Sequence, residues 1–243
     1  MWETSTLKME IVLHKEPFLQ APFSMVVCGP SGSGKSSLLY EMLTRPDACF
    51  QKRPTEVVIA YSKTQDLYAR IVKDSKLPVR LVYGLTTEVT AKPGGLLIFD
   101  DLTDRQEISI IKDWFVKYSH HLSVSVVYLI QNLYNKDPFH RTISLNTHYL
   151  VFFNNPRDRS VISNLARQMA PQNPSYIIDA YRQVSRRGHG YLVFDFKQNT
   201  PDHLRVRAGV FGGSGIFADI KNSRHVDISV GAWPAVAQRL TTK

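Results

Sequence analysis

The sequence predicts a three-layer α/β domain around a mostly parallel central sheet, and three observations carry that prediction. Short apolar runs alternate with segments whose apolar residues recur at helical spacing, the pattern of strands covered on both faces by helices. A Gly/Ser-rich stretch joins one such strand directly to one such helix. A second apolar strand ends in two consecutive acids, at the carboxyl edge where open α/β sheets hold ligands.

Met25-Val26-Val27-Cys28 is the strand that leads into the glycine-rich turn. Beyond the turn, Leu38, Leu39, Met42 and Leu43 share a helical face, and Pro46 sets the stop. Val57 to Tyr61 and Val79 to Tyr83 read as strands, with a short helix over Asp66 to Val72 between them. Leu96-Leu97-Ile98-Phe99 is a wholly apolar strand followed by Asp100-Asp101. The next helix opens at Asp104, with Glu107 in capping-box register, and its spacing predicts that Ile108, Ile111, Phe115 and Tyr118 are buried. Val124 to Ile130 is a strand ending at Gln131-Asn132, and Tyr149 to Phe153 is another. Asn155-Pro156-Arg157-Asp158 then predicts a helix start, with Asn155 as cap, Pro156 at the first helical position and Asp158 at the third. A helix over 175–186 precedes paired strands at Tyr191 to Phe196 and Leu204 to Phe211, and Gly212-Gly213-Ser214-Gly215 reads as a flexible break. The expected organisation is an N-terminal extension over 1–24, one domain over 25–211 and a tail over 212–243.

A chain of 243 residues can bury a sizeable core as one domain, and its 43% apolar and 21% charged residues exclude disordered and fibrous classes. No apolar run approaches the ~18 to 20 residues that a membrane-crossing helix needs, so no membrane partner is expected. Met1-Trp2-Glu3 does not open a secretory signal, and two cysteines, Cys28 and Cys49, make neither a disulfide framework nor a metal site. An intracellular location is the expectation. The net charge is +9, yet residues 1–121 carry 15 basic and 14 acidic side chains, whereas residues 122–243 carry 15 and 7. The excess in the second half points to a polyanionic partner contacted from there; the plainer alternative is a generally basic, soluble surface.

Gly29-Pro30-Ser31-Gly32-Ser33-Gly34-Lys35-Ser36 matches G-x-x-x-x-G-K-[ST] between a predicted strand and a predicted helix, the context that motif requires. Glycines let successive N–H groups turn inward to phosphate oxygens, and the helix start adds its positive dipole end. Lys35 reaches the β- and γ-phosphates, Ser36 offers its hydroxyl to Mg2+, and Ser37 completes the binding stretch. Asp100 is the natural second anchor for Mg2+, at the end of a buried strand. Asp101 stands where many additional-strand P-loop ATPases carry a glutamate that polarises the attacking water; it is one methylene shorter, so it needs a closer water or a second residue, and a loop acid or helix cap is the alternative. Gln131, and with it Asn132, can hold that water or sense the γ-phosphate, since a carboxamide both donates and accepts. Asn135-Lys136-Asp137 is one residue short of the guanine reader N-K-x-D, and no L-S-G-G-Q occurs, so GTP specificity and a transporter-type ATPase are unsupported; a nucleoside kinase would leave the basic half unexplained. Arg157 and Arg159, predicted in a first helical turn whose dipole disfavours cations, suggest an anionic target, and Arg141 is a third candidate finger; Arg167 reads as a solvated face. His120-His121 suits a helix end and has no metal-ligand spacing around it.

Together, Met25 to Ser36, Leu96 to Leu102, Ser119-His120-His121, Leu129 to Leu133, Arg141 to Asn146, Asn155 to Asp158, Asn164 to Met169, Tyr191 to Asp195 and Thr200-Pro201-Asp202 resemble the genome-packaging ATPases of Polinton/Maverick elements and adintoviruses, in the poxvirus-type branch of the FtsK/HerA superfamily. The resemblance spans about residues 25 to 211. It implies a three-layer P-loop NTPase of the additional-strand type, an oligomeric ring of five or six subunits that hydrolyses ATP with Mg2+ and pumps double-stranded DNA into a capsid. It also implies work in the host nucleus or cytoplasm where capsids assemble, with capsid protein as a partner. The family's lysine and serine fall on Lys35 and Ser36, its acidic pair on Asp100 and Asp101 and its strand-end glutamine on Gln131, while Asp101 departs from the wider D-E pattern. The subunit-bridging arginine falls on no single residue, and Arg141, Arg157 and Arg159 stay open. A helicase or DNA pump of the same superfamily, and a nucleotide-binding structural subunit without turnover, are the rival readings.

Overall fold

The computed structural model describes residues 9–14, 16–86, 89–133 and 137–219. Its strands are β1 (Met9–His14), β2 (Ser24–Cys28), β3 (Val57–Tyr61), β4 (Val79–Tyr83), β5 (Leu96–Asp100), β6 (Ser125–Ile130), β7 (Tyr149–Phe153), β8 (Tyr191–Asp195), β9 (Val206–Arg207) and β10 (Ser214–Asp219). They form one sheet in the order β1-β10-β9-β8-β7-β2-β6-β5-β3-β4. From β7 to β4 every pairing is parallel; from β7 outward through β8, β9 and β10 to β1 every pairing is antiparallel.

The helices are α1 (Lys35–Thr44), α2 (Asp66–Asp74), α3 (Arg105–Asp113), α4 (Ser119–His121), α5 (Pro138–Leu145), α6 (Ser160–Met169) and α7 (Pro174–Ser185). Two cores sort by strand alternation. Met25, Val27, Ile59, Ile98 and Val151 pack with Leu39 and Met42 of α1 and Ile71 of α2. Val26, Val58, Phe99, Tyr128 and Phe152 pack instead with Ile108 and Ile111 of α3, Ile162 and Leu165 of α6 and Ile177 of α7. The sheet is thus covered on both faces, which is why its central strands read as unbroken apolar runs. With β6 standing between β2 and β5, this is the additional-strand, three-layer P-loop NTPase fold.

Five expectations change. The helix after β7 starts at Ser160, not Pro156, because two local turns compete with it. Asn155 Oδ1 accepts from the Arg157 N–H at 3.1 Å, and Asp158 Oδ1 accepts from the Ser160 N–H at 3.0 Å. Tyr118 is exposed rather than buried. A π-helical stretch, Trp114–Tyr118, follows α3 and rotates its face, so that Trp114 and Phe115 turn inward. The strand expected over 204–211 shrinks to Val206–Arg207, and Gly212-Gly213-Ser214-Gly215 is no linker: Gly213, at φ 86°, turns the chain into β10. Finally, the sheet is wider than residues 25–211, since β1 and β10 pair from Met9↔Asp219 to His14↔Ser214. Asp104 does cap α3 as expected, with both halves of its capping box formed to Glu107. Residues 1–8, Tyr134, Asn135, Lys136 and the tail over 220–243 lie outside the described residues.

Candidate functional site

The turn between β2 and α1 is built by its glycines. Gly34 precedes α1 at φ 107°, and no side chain caps the helix, so its first N–H groups face the loop. A Cβ on Gly29 would come within 2.6 Å of both Phe153 Cβ and Ser33 Oγ, which leaves room only for glycine. Ser33 Oγ is buried with no partner, and Ser31 and Gly32 form the exposed tip after Pro30. Lys35 Nζ curls back over the loop and donates to the Gly29 carbonyl at 2.6 Å and to the Pro30 carbonyl at 3.1 Å. Burial lowers its pKa, against the raising pull of Asp100, Cys28 and Asp101. Ser36, half-buried, and Ser37, exposed, open α1.

Asp100, only 4% exposed, ends β5 one strand away from β6 and two from β2. Its Oδ2 accepts from the Tyr68 hydroxyl of α2 at 2.7 Å. Burial pushes its pKa up; the Tyr68 hydrogen bond and the Lys35 charge pull down, while the Asp101 charge pushes up. Asp101 sits at φ 55°, a left-handed conformation that aspartate tolerates better than most. Three neighbours hold it there: Ser62 Oγ donates to its carbonyl at 2.7 Å, Gln131 Nε2 donates to Oδ1 at 3.2 Å, and Lys63 Nζ lies 3.5 Å from Oδ2. Gln131 is exposed where β6 ends, and Asn132 follows it, also exposed.

Lys35, Asp100, Asp101 and Gln131 therefore meet at the carboxyl edge of β2, β5 and β6. The arginines do not join them. Arg157 lies in the turn before α6 and Arg159 at its N-cap position, so Arg157 is not in a helical first turn. Arg141 is exposed on α5 and lines a cavity of about 1140 Å³ shared with Leu145, Tyr176 and Arg205, away from the loop. Arg167 is exposed and donates to Asn164 Oδ1 within α6. His120 packs edge-on to His148, with ring centroids 5.5 Å apart. Among the described residues no cluster of histidine, cysteine and acidic side chains could hold a metal ion by itself, and no helix is long and apolar enough to cross a membrane. Tyr68, Ser62 and Lys63 escaped the sequence reading, because each reaches the site from an element distant in the chain; the local motif carried no sign of them.

The cradle fits a nucleotide with Mg2+ in three respects: a glycine at position 29 with no space for a Cβ, an orphaned buried hydroxyl at Ser33, and a lysine ammonium coupled to a buried carboxylate. No protein-family model and no curated protein matches the chain. Among solved structures it is similar to the genome packaging NTPase B204 of Sulfolobus turreted icosahedral virus 2 in complex with ATP-gammaS, at 14% identity and a TM-score of 0.38, over 73% of this chain and 94% of that one. It is also similar to the Legionella pneumophila ATPase DotB, at 11% identity and a TM-score of 0.35, over 69% of this chain and 53% of that one.

Proposed function

We propose that this chain is an Mg2+-dependent ATPase that works as a ring of identical subunits and moves double-stranded DNA, packaging a viral or virus-like genome into a capsid. The observation that carries the reading is the convergence of Lys35 with Asp100, Asp101 and Gln131 on one edge of the sheet. Lys35 and the backbone N–H groups of Gly32, Gly34, Lys35, Ser36 and Ser37 hold the phosphate chain; the Ser36 hydroxyl and Asp100 hold the metal, with Tyr68 fixing the carboxylate through Oδ2. Bound Mg2+ supplies positive charge to the phosphate oxygens. Asp101 takes a proton from water as the water oxygen bonds to the γ-phosphorus and the bond to the ADP oxygen breaks. Gln131, already hydrogen-bonded to Asp101, is the second residue that a carboxylate one methylene shorter than glutamate needs. The exposed Arg157, Arg159, Arg182, Arg186 and Arg187 crowd the turns around α6 and the end of α7, and supply a surface for phosphates of DNA. An arginine from the next subunit, Arg157 or Arg159 first and Arg141 otherwise, completes the charge at the γ-phosphate, an effect of ~10³ to 10⁵ in rate where such fingers act.

Phosphate release by the full chain, with and without duplex DNA, tests this. Duplex should stimulate turnover, and its binding should weaken steeply with salt. Lys35→Ala should abolish nucleotide binding, whereas Asp101→Asn should bind ATP and hydrolyse it slowly. Mixing Lys35→Ala with Arg→Ala subunits should restore part of the activity. Stimulation only by single strands would favour a helicase; binding without turnover would favour a structural subunit.

A further inference from the structure

The connection from α7 to β8 lies directly on the phosphate loop. His189 stands there between Gly188 and Gly190 at φ 60°, in the left-handed region that histidine enters more readily than most side chains. The path is over-determined: a Cβ on Gly190 would overlap the Val184 carbonyl, and the Gly190 carbonyl accepts from the Asn154 N–H at 3.0 Å. Tyr181 ties the neighbouring turn to it, its hydroxyl accepting from the Asn155 N–H at 2.8 Å and donating to Asn154 Oδ1 at 3.3 Å. His189 Nδ1 is thereby held 3.1 Å from the Ser33 carbonyl. Since a carbonyl oxygen only accepts, Nδ1 carries the proton in this contact. A Cβ on Gly34 would lie 3.2 Å from His189 Cβ, so loop and histidine are in contact, yet His189 is exposed.

The groups that would face the terminal phosphate, Asp100, Asp101 and Gln131, all lie on the β6 and β5 side of β2; β7 and β8 lie on its other side. A nucleoside triphosphate carries its nucleoside at the opposite end of the phosphate chain from the γ-phosphate, so a γ-phosphate held toward β6 leaves the β7 and β8 side, where His189 stands, for the nucleoside. Resting on the ATPase reading above, we propose that His189 is the nucleoside contact of the site: Nδ1–H latches the Ser33 peptide, and the exposed imidazole stacks on the base. Stacking uses the π-face that every base has, so the site takes nucleoside triphosphates with little choice between adenine and guanine.

Binding to the full chain, measured by calorimetry, separates the nucleoside contact from a purely structural latch. The ligands are the non-hydrolysable ATP and GTP analogues with a β,γ-imido bridge and inorganic tripolyphosphate, each with Mg2+. Asparagine tolerates left-handed backbone and its amide can still donate to the Ser33 carbonyl, but it has no ring. His189→Asn should therefore weaken both nucleotides about tenfold, a typical loss for one base-stacking side chain, and leave tripolyphosphate unchanged. His189→Ala should weaken all three, the nucleotides most. In the wild-type chain, base protons of the bound ATP analogue should show nuclear Overhauser contacts to the His189 ring, a result independent of how any variant folds. Equal weakening of nucleotide and tripolyphosphate by His189→Asn, no weakening of either, or no Overhauser contact overturns the nucleoside role while the ATPase reading stands. A wild-type chain that binds none of the three ligands overturns that reading and this inference with it.

Discussion

The two halves of the sheet are made differently. The parallel half, from β7 to β4, places its strands so that helices cover both faces, and its carboxyl edge carries Lys35, Asp100, Asp101 and Gln131. The antiparallel wing, β8 to β1, runs through the two-residue strand β9 and joins the two ends of the described chain through β1 and β10. The difference teaches where function can sit. Parallel strands all end on one edge, so side chains from distant segments are delivered to one crevice. Antiparallel strands end alternately on both edges, and the wing touches the phosphate loop through the turn before β8, which carries His189.

The largest effect should come from testing the halves with one chemistry. Phe99→Ala, at a fully buried position of β5, should cost about 3 to 5 kcal/mol in urea unfolding. Phe217→Ala in β10 should cost less, because β10 has only the edge strand β1 beyond it and that edge can relax. Amides of β2, β5 and β6 should outlast those of β1 in hydrogen exchange. Equal costs and equal protection would show that the wing is as cooperative as the parallel half.

A smaller effect should follow from Tyr68→Phe, which removes the donor to buried Asp100 Oδ2 and leaves the ring packing in place. Outer partners of metal ligands are worth ~10 to 100-fold in metal affinity, so about tenfold more Mg2+ should be needed for half-maximal turnover, with a parallel loss of Mn2+ binding by electron paramagnetic resonance. An unchanged metal requirement would detach α2 from the site.

The seam between the halves should respond to pH. His148, just before β7, accepts from the Ser24 N–H through Nδ1 at 3.0 Å. Burial first, then the Lys197 and His120 charges, lower its pKa from 6.5 to about 4. Between those values the unfolded chain binds a proton that the native chain refuses, so this contribution to stability is complete above about pH 6.5 and is lost as pH falls toward about 4. His148→Gln should flatten that part of a thermal midpoint profile. The least effect belongs to Lys63→Ala: its pair with Asp101 is a largely solvated one, worth ~1 kcal/mol or less, and turnover should change only a few-fold.

The parallel half and the centre of the candidate site are legible in short stretches of the chain. Met25 to Ser36 and Leu96 to Asp101 are contiguous, and each couples a buried strand to the polar residues at its end, so one short window holds both the structure and the chemistry. Asp104 with Glu107 capped a helix for the same reason: the interaction spans three residues. Long-range packing set the rest. The helix start expected at Asn155 gave way to two short turns, and Tyr118 turned outward through one π-helical stretch, choices set by packing that a periodic pattern does not resolve. β1 and β10 pair across some two hundred residues of chain, Tyr68 of α2 reaches Asp100 at the end of β5, and His189 meets Ser33 across 156 positions. Such contacts leave no local signature, because each residue is chosen for a neighbour that only folding supplies.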